Sequence, residues 1–447
     1  MMRRWLLVGH VLFWTAALRG EVIRVSAGQS IQKAIDAAPA GATIQIAPGV
    51  FQERLDVDKP LTLEGAGWQQ TTIKPDGAAK PHSDAEKIAF ADNLEAATDE
   101  RQQLQIVNQF LGRDLPPTIV ARATEGAVVL SKMKIQGISP GTVPGSGSEA
   151  IVRFDRAKGQ LLDCAVVGPS NGGVEIIDGA DVQIRDSLIA AVWDTGLAVK
   201  SSRNADPSKV QITGCDIRNC YYAGVVIGGE GSTIDHCRIS GAAWHGIRYD
   251  DCSPTITNNS IFGNARCGIY ASGNTHAVIR SNTFWKNEMD AISCWFNNAD
   301  TIENNTIVGN LREGIEVLGD AKPHLSHNIL ADNPVAVECA MIAGQGDAVG
   351  SPELEQNWFW NNKQDMEKSQ KAAPAPPGSG SGDPHFTNSG QHDYSLVADS
   401  PARAVGVGAT MAVPAASGWP IQPEETAIIP SSDTRDWNQW KKPSSLR

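Results

Sequence analysis

Asn259, Asn282, Asn305 and Asn328 follow one another at intervals of 23 residues, and Asn357 extends the series after a longer gap. Three positions before each stands an apolar residue: Ile256, Ile279, Ile302, Leu325 and Leu354. Five positions after each comes a second asparagine, in the column Asn264, Asn287, Asn310, Asn333 and Asn362. Towards the N-terminus the first column continues as Cys237, Cys215, Ser187, Cys164 and Met133, and Cys220 heads the second, one repeat above Ala242. Nine residues after each first-column position a small residue opens a third segment, at Gly196, Gly224, Gly246, Gly268, Ala291 and Gly314. A repeat of this length is the signature of a solenoid or a propeller. The segments within it are too short for helices and alternate apolar with polar residues, as in Thr301-Ile302-Glu303 and Gly314-Ile315-Glu316-Val317, which is the pattern of half-buried strands. Three such strands per repeat make one coil of a parallel β-helix.

In such a coil, equivalent residues of successive rungs stack about 4.8 Å apart. A buried amide then donates to the next rung and accepts from the previous one. This satisfies groups that would otherwise cost roughly 1–3 kcal/mol each. The asparagines are therefore read as structural ladders along the corners. Cys164, Cys215 and Cys237 share the ladder column and are expected to point inward as buried thiols. Parallel Cβ vectors on adjacent rungs suit a disulfide poorly, and Cys294 and Cys339 fall two rungs apart. No cysteine or histidine cluster has zinc spacing.

Residues 1–20 carry Arg3 and Arg4, then the apolar run from Trp5 to Leu18, the order of a secretory signal peptide. The expected location is secreted, periplasmic or cell-surface, with no stable membrane span after cleavage. Removing this segment loses three arginines and no acid, taking the formal charge from -12 to -15. So acidic a chain is a poor nucleic-acid binder. Residues 21–76 read as an N-terminal cap and first coils, with Ser30 as N-cap of a short helix that has Ile31, Ala34, Ile35 and Ala38 on one face. Residues 77–117 read as an insertion, helical over 83–112 with Ile88, Leu94, Leu104, Val107 and Leu111 at near-helical spacing. Residues 118–370 are the repeats, 371–382 a flexible linker, and 383–447 a closing segment and tail, to which no structure is assigned beyond about Gly408.

The run A-I-D-A-A-P, then T-I-Q-I-A-P-G-V-F and L-T-L-E-G-A-G-W, resembles the opening of secreted right-handed β-helix proteins of the pectin-lyase-like superfamily. The coils resemble that superfamily's parallel β-helix repeats, and D-P-H-F, Y-S-L and S-P-A after residue 383 resemble the closing segment of many bacterial members. The resemblance covers about residues 21–76 and 118–405. It implies an all-β, right-handed parallel β-helix with a capping helix and a short α-helical insertion. It does not fix an activity, because the superfamily holds lyases, hydrolases, esterases, epimerases and non-enzymatic surface proteins. The pectate-lyase, pectin methylesterase and polygalacturonase signatures do not occur.

A β-helix has a packed interior, so chemistry has to be built outside. The outward column of the third strand reads Glu175, Ala198, Val226, Arg248, Tyr270, Ser293, Glu316 and Glu338, and the residue before that strand reads Thr195, Ala223, His245, Cys267, Asp290 and Glu313. His245, Arg248, Tyr270, Asp290, Glu313 and Glu316 are thereby expected on one side, as candidate catalytic residues over a groove long enough for several sugars. Trp193, Tyr222 and Trp244 enter the same loops, with Tyr221, as sugar-stacking candidates. For β-elimination of an acidic polysaccharide, Arg248 would neutralise the uronate and His245 or Tyr270 would take the proton. For hydrolysis, adjacent-rung acids such as Asp290 and Glu313 would supply the two carboxyl groups. No cofactor is evident, although acidic loops such as 178–181 or Asp250-Asp251 suit Ca²⁺. Two readings stand: a secreted protein that binds a polysaccharide and, if catalytic, acts first by lyase-like chemistry on an acidic glycan, with glycoside hydrolysis second; and a non-catalytic cell-envelope or surface scaffold whose charged column is an ordinary solvated face.

Overall fold

The computed structural model describes residues 20–76, 84–96, 116–137, 150–170, 172–202, 205–409 and 418–426. Each coil contributes one short strand to each of three sheets, and each sheet contains 13 strands. Sheet 1 runs from Val22–Val25 to Glu353–Glu355, sheet 2 from Gly49–Gln52 to Gly380–Ser381, and sheet 3 from Leu55–Val57 to Lys371–Ala373. Pairing is parallel throughout except at the final strand of sheet 3. The result is an all-β, right-handed parallel β-helix.

One coil shows how the repeat folds. Thr301–Glu303, Thr306–Val308 and Glu313–Leu318 are its three strands. Ile302, Ile307, Ile315 and Val317 point inward and are fully buried, stacked on Ile279, Phe284, Ile292 and Cys294 of the preceding rung. Between sheets 1 and 2 the chain turns on two residues. The first adopts a left-handed backbone, with φ of 56° at Asn258, 56° at Ser281 and 53° at Asn304, a conformation that short polar residues tolerate best. The second is the ladder asparagine.

The ladders form as the spacing predicts. Asn259, Asn282, Asn305 and Asn328 each donate through Nδ2 to the Oδ1 of the next asparagine at 3.0–3.1 Å. The other Nδ2 hydrogen goes to a strand carbonyl. Each Oδ1 also accepts the backbone N–H of the preceding ladder residue. The second column repeats the pattern from Asn264 to Asn362 at 2.9–3.3 Å. Every buried amide in the series is thus paired, and the eight cysteines lie buried as free thiols.

Both ends are closed by segments outside the repeat. Helix Ile31–Ala37 covers the first coil with Ile31 and Ile35 buried, and Ser30 caps it by accepting from Lys33 N–H at 3.2 Å. The Glu53 carboxylate accepts from Ile31 N–H at 2.6 Å, placing an anion at the positive end of the helix. The described helix of the insertion is Asp84–Ala96, where Ile88 is exposed and Phe90 is buried. Leu104, Val107 and Leu111 of the expected helix, like the signal-like residues 1–19 and the tail tryptophans Trp437 and Trp440, lie outside the described residues. The stretch read as a linker contains strands instead: Lys371–Ala373 folds back antiparallel on Gln364–Lys368, and Gly380–Ser381 adds the last strand of sheet 2. Backbone pairing and small side chains suffice there, without an apolar alternation that a sequence would display.

The outer face of sheet 2 is covered by the C-terminal residues. Trp285, Val308, Ile329, Ala331 and Trp358 pack against Tyr394, Ala402 and Val407. Further along the same face, residues 418–426 dock on the early coils. Trp419 lies 4.7 Å from Trp68 between ring centroids, beside buried Ala165, Val167, Leu188 and Ala190. The Glu425 carboxylate accepts from both Arg218 Nε and Nη2 at 2.8 Å and from Asn219, while Glu424 meets Lys134 at 2.7 Å. Structure therefore continues past Gly408, held by charge pairs that local pattern does not reveal. Glu425→Ala is expected to weaken this docking by about 2–3 kcal/mol, below the cost of a fully broken buried pair because Asp216 still faces Arg218. Hydrogen exchange over 418–426 reports it, and unchanged protection would contradict the role given to the pair.

Candidate functional site

The outward column of sheet 3 is the one expected, rung for rung. Arg248 pairs with Tyr270, Tyr270 with Ser293, Ser293 with Glu316 and Glu316 with Glu338, and Glu367 continues the column. At the corner where these strands begin, His245, Cys267, Asp290 and Glu313 stand on successive rungs, linked by Gly246 N–H to Cys267 O, Gly268 N–H to Asp290 O and Ala291 N–H to Glu313 O. One residue earlier in each turn come Asp194, Tyr222, Trp244, Arg266, Met289 and Arg312. These three columns divide into a cationic and aromatic group and a carboxyl group.

In the first group Tyr222 and Trp244 lie 5.1 Å apart between centroids, and the Arg266 guanidinium covers the Trp244 ring at 4.0 Å. Arg248 donates to the Tyr222 hydroxyl at 2.6 Å and to Asp250 at 2.8 Å, and lies 5.4 Å from the Tyr270 ring centre. His245 sits between Trp244 and Tyr270 at 5.8 and 4.9 Å. It is 5% exposed, and its Nδ1 is buried without a hydrogen-bond partner. Burial, with the charges of Arg266 and Arg248, pushes its pKa down to about 3. The imidazole is neutral at physiological pH and a weak base. Burial also raises the Tyr270 phenol, so neither group is matched to taking a carbon-bound proton near neutrality.

The second group is a nest of acids. Oxygens of Asp290, Glu313 and Glu316 lie within 4.8 Å of one another. Asp290 is fully buried, and Glu313 and Glu316 are 8% and 7% exposed. Ser293 donates to Glu316 and receives the Trp295 indole N–H at 2.7 Å. Arg312 stands 3.2 Å from Glu313 Oε2 and 3.7 Å from Glu316 Oε1; the first approach is an ion pair without hydrogen-bond alignment, and leaves that buried oxygen unpartnered. Burial first, then a hydrogen bond to Glu313 and the neighbouring charges, raises Asp290 far above the carboxylate range. Burial likewise raises Glu316. Glu338 is pushed up to about 7 by burial and by Glu313, Glu316 and Glu367. Cys267, whose thiol meets Asp290 at 3.5 Å, is also raised by burial and by Asp290, which leaves it without thiolate character.

Three carboxylates at this separation form an oxygen-donor set suited to a hard cation. The loops singled out for calcium are engaged otherwise. Asp178 accepts from Ser202 N–H, Asp181 pairs with Lys209, Asp250 with Arg248, and Asp251 accepts from Asn274 N–H.

Of the nine residues proposed from sequence, eight fall into these two groups. Trp193 stands one position earlier in its turn than Tyr222 and Trp244 do in theirs: Tyr222 N–H bonds to Asp194 O, so Asp194 takes the column. Sequence reasoning missed Arg266, Arg312 and Trp295. Arg266 precedes Gly268 by two, as Trp244 precedes Gly246, and the same count finds Arg312.

A stack of three sheets with two asparagine ladders and a closed core defines a right-handed parallel β-helix protein of the pectin-lyase-like fold. Consistently, residues 150–300 and 205–365 match the family model described as right handed beta helix region. Solved structures similar to the chain include the periplasmic alginate epimerase AlgG, at 14% identity and a TM-score of 0.48, covering 80% of this chain and 82% of that one. An alginate lyase from Paenibacillus sp. str. FPU-7 is similar at 16% identity and TM-score 0.43, over 75% and 98% of the two chains. A rhamnogalacturonan lyase is similar at 13% identity and TM-score 0.43, over 76% and 87%. At such identities the likeness concerns the fold alone. No curated protein matches the chain in sequence.

Proposed function

We propose that this protein binds a polysaccharide along the outer face of sheet 3 and cleaves it by acid–base chemistry between Glu316 and Glu313. The observation that carries this reading is the placement of the carboxyl nest on the rungs next to the Tyr222, Trp244, Arg266 and Arg248 group, along one column. Glu316 is the proton donor to the leaving glycosidic oxygen, because burial raises its carboxyl above the usual carboxylate range. Glu313, beside Arg312, is the carboxylate that meets the anomeric carbon. Oxygens within 4.8 Å lie near the separation of retaining hydrolysis and short of the wider gap that inverting enzymes leave for water and sugar together; water then releases the sugar from Glu313. Asp290 touches no substrate and positions Glu313. Elimination is disfavoured by the weak basicity of His245, and Arg248 and Arg266 remain as the groups that would receive a uronate. The signal-like order of residues 1–20 suits work outside the cytoplasm, and no helix among the described residues is long and apolar enough to cross a membrane.

The second reading, a non-catalytic scaffold, draws on the internal pairing of Arg248 with Tyr222 and Asp250 and on the low exposure of Glu313 and Glu316. Incubation with pectate, alginate, chondroitin and neutral glycans, read for new reducing ends and for unsaturated products, separates the two. Reducing ends without unsaturation are expected. Glu316→Gln is expected to lower their rate by about 10²–10⁴-fold while retention on glycan gels persists, and Arg266→Ala to weaken retention. Unsaturated ends would replace hydrolysis by elimination, and silence on every polymer with no retention would leave the scaffold.

A further inference from the structure

The charge on the sheet 3 face is polarised along the solenoid axis. Arg248 stands at one rung, paired with Asp250 at 2.8 Å, and Arg266, on the Trp244 ring, enters the next; Arg266 has no carboxylate partner among the described residues. Ser293 and Trp295 occupy the following rung, and neither is charged. Glu313 and Glu316 come next, then Glu338, then Glu367, so that three glutamates stack directly in one column, with Arg312 set against the first of them. The distance from Arg248 to Glu316 is three rungs, roughly 14 Å at the strand spacing of parallel sheets. One buried oxygen of Glu313 has no hydrogen-bond partner, so the nest is short of donors.

An extended glycan laid along such a face advances by about one sugar per rung. A homopolymer of uronic acids would therefore bring a carboxylate over the arginines and another over each glutamate rung. The first contact is favourable. The others set an anion against Glu313, Glu338 and Glu367 in a partly desolvated groove, where each of these acids that is ionised repels it. Hydroxyl groups from an uncharged sugar would instead pair with these acids, as donor or acceptor, without adding charge.

We infer that the substrate is a heteropolysaccharide in which a uronic acid, held at Arg248 and Arg266, is followed by uncharged sugars over Ser293, Glu316 and Glu338. This rests on the sheet 3 face being the glycan site. In the proposed cleavage, the uronate anchors the chain and the broken bond belongs to an uncharged residue.

The test is calorimetric binding of hexasaccharides to the Glu316→Gln and wild-type proteins, in chelator and at low salt. The probes are two hexamers with one terminal uronate followed by uncharged sugars, a glucuronate on a neutral glucan and a galacturonate on a rhamnan, with a galacturonate homohexamer and a neutral glucan hexamer. At least one single-uronate probe is expected to bind wild type tenfold or more tighter than the homohexamer. Glu338→Gln is expected to raise affinity for the homohexamer severalfold, and Arg266→Ala to weaken the single-uronate probe tenfold. Equal or tighter binding of the homohexamer, in chelator or with calcium restored, would overturn the inference and leave the glycan site standing. So would preference for the neutral glucan. Absence of binding to all four probes would remove the glycan reading itself.

Discussion

Asn305→Ala is expected to lower the unfolding free energy by about 3–5 kcal/mol. The Asn305 Oδ1 accepts from both the backbone N–H and the Nδ2 of Asn282, at 2.9 and 3.1 Å, and its own Nδ2 supplies Asn328 Oδ1 and Ile279 O at 3.0 and 2.9 Å. Alanine orphans two donors and the Ile279 carbonyl in a site closed to water. Asn328 Oδ1 keeps the Asn305 backbone N–H and is the least affected. Each orphaned buried group costs about 1–3 kcal/mol, whereas the hydrogen bonds themselves have a smaller net worth. The neighbouring Asn304→Gly keeps the left-handed corner and is expected to change stability by less than about 1 kcal/mol. Urea unfolding of the two variants side by side makes the comparison. A loss below about 1 kcal/mol for Asn305→Ala would mean that the corner relaxes to let water in.

Between pH 5 and pH 8 the protein is expected to lose stability, on the order of 2 kcal/mol after allowance for solvent screening at the half-exposed Glu338. The sign follows from the acids of the nest. Asp290, Glu316 and Glu338 have folded pKa values above the ordinary carboxylate range, Glu338 at about 7. Well below pH 3.8, the ordinary aspartate value, both folded and unfolded chains hold these protons. As pH rises, the unfolded chain releases them first, and the folded chain must ionise against its own neighbouring charges, so stability falls through pH 7. Acids with depressed values, such as Glu425 and Asp235, act in the opposite sense and lose their contribution below this window. Asp290→Asn and Glu338→Gln are each expected to flatten the decline, read as melting temperature against pH at fixed ionic strength. A profile rising from pH 5 to 8 in wild type would show that the nest is ionised and compensated in the folded protein.

The columns were legible before any coordinates because a solenoid repeats by translation. Once Asn259, Asn282 and Asn305 set the period, counting nine residues on reaches Gly268, Ala291 and Gly314. From there every outward and corner position follows, which is how His245, Arg248, Tyr270, Asp290, Glu313 and Glu316 were assigned to one face. Trp193 escaped the count because its turn carries the ring one residue earlier. Arg266 and Arg312 lay within the same arithmetic and were passed over because an exposed arginine has no pattern of its own.

Period, corner chemistry and inward alternation, then, belong to the sequence by itself. They depend on contacts between a residue and its counterpart one coil away, and the chain writes that relation as a constant spacing. Only the tertiary structure decided that Glu425 returns to Arg218 across 207 residues, that His245 is buried beside two arginines, and that three acids share one nest. Those outcomes depend on depth, on the angle of each side chain and on partners without a fixed separation in sequence. Desolvation and charge are set by such three-dimensional neighbours, and they decide which of the outward residues are able to hold or give up a proton.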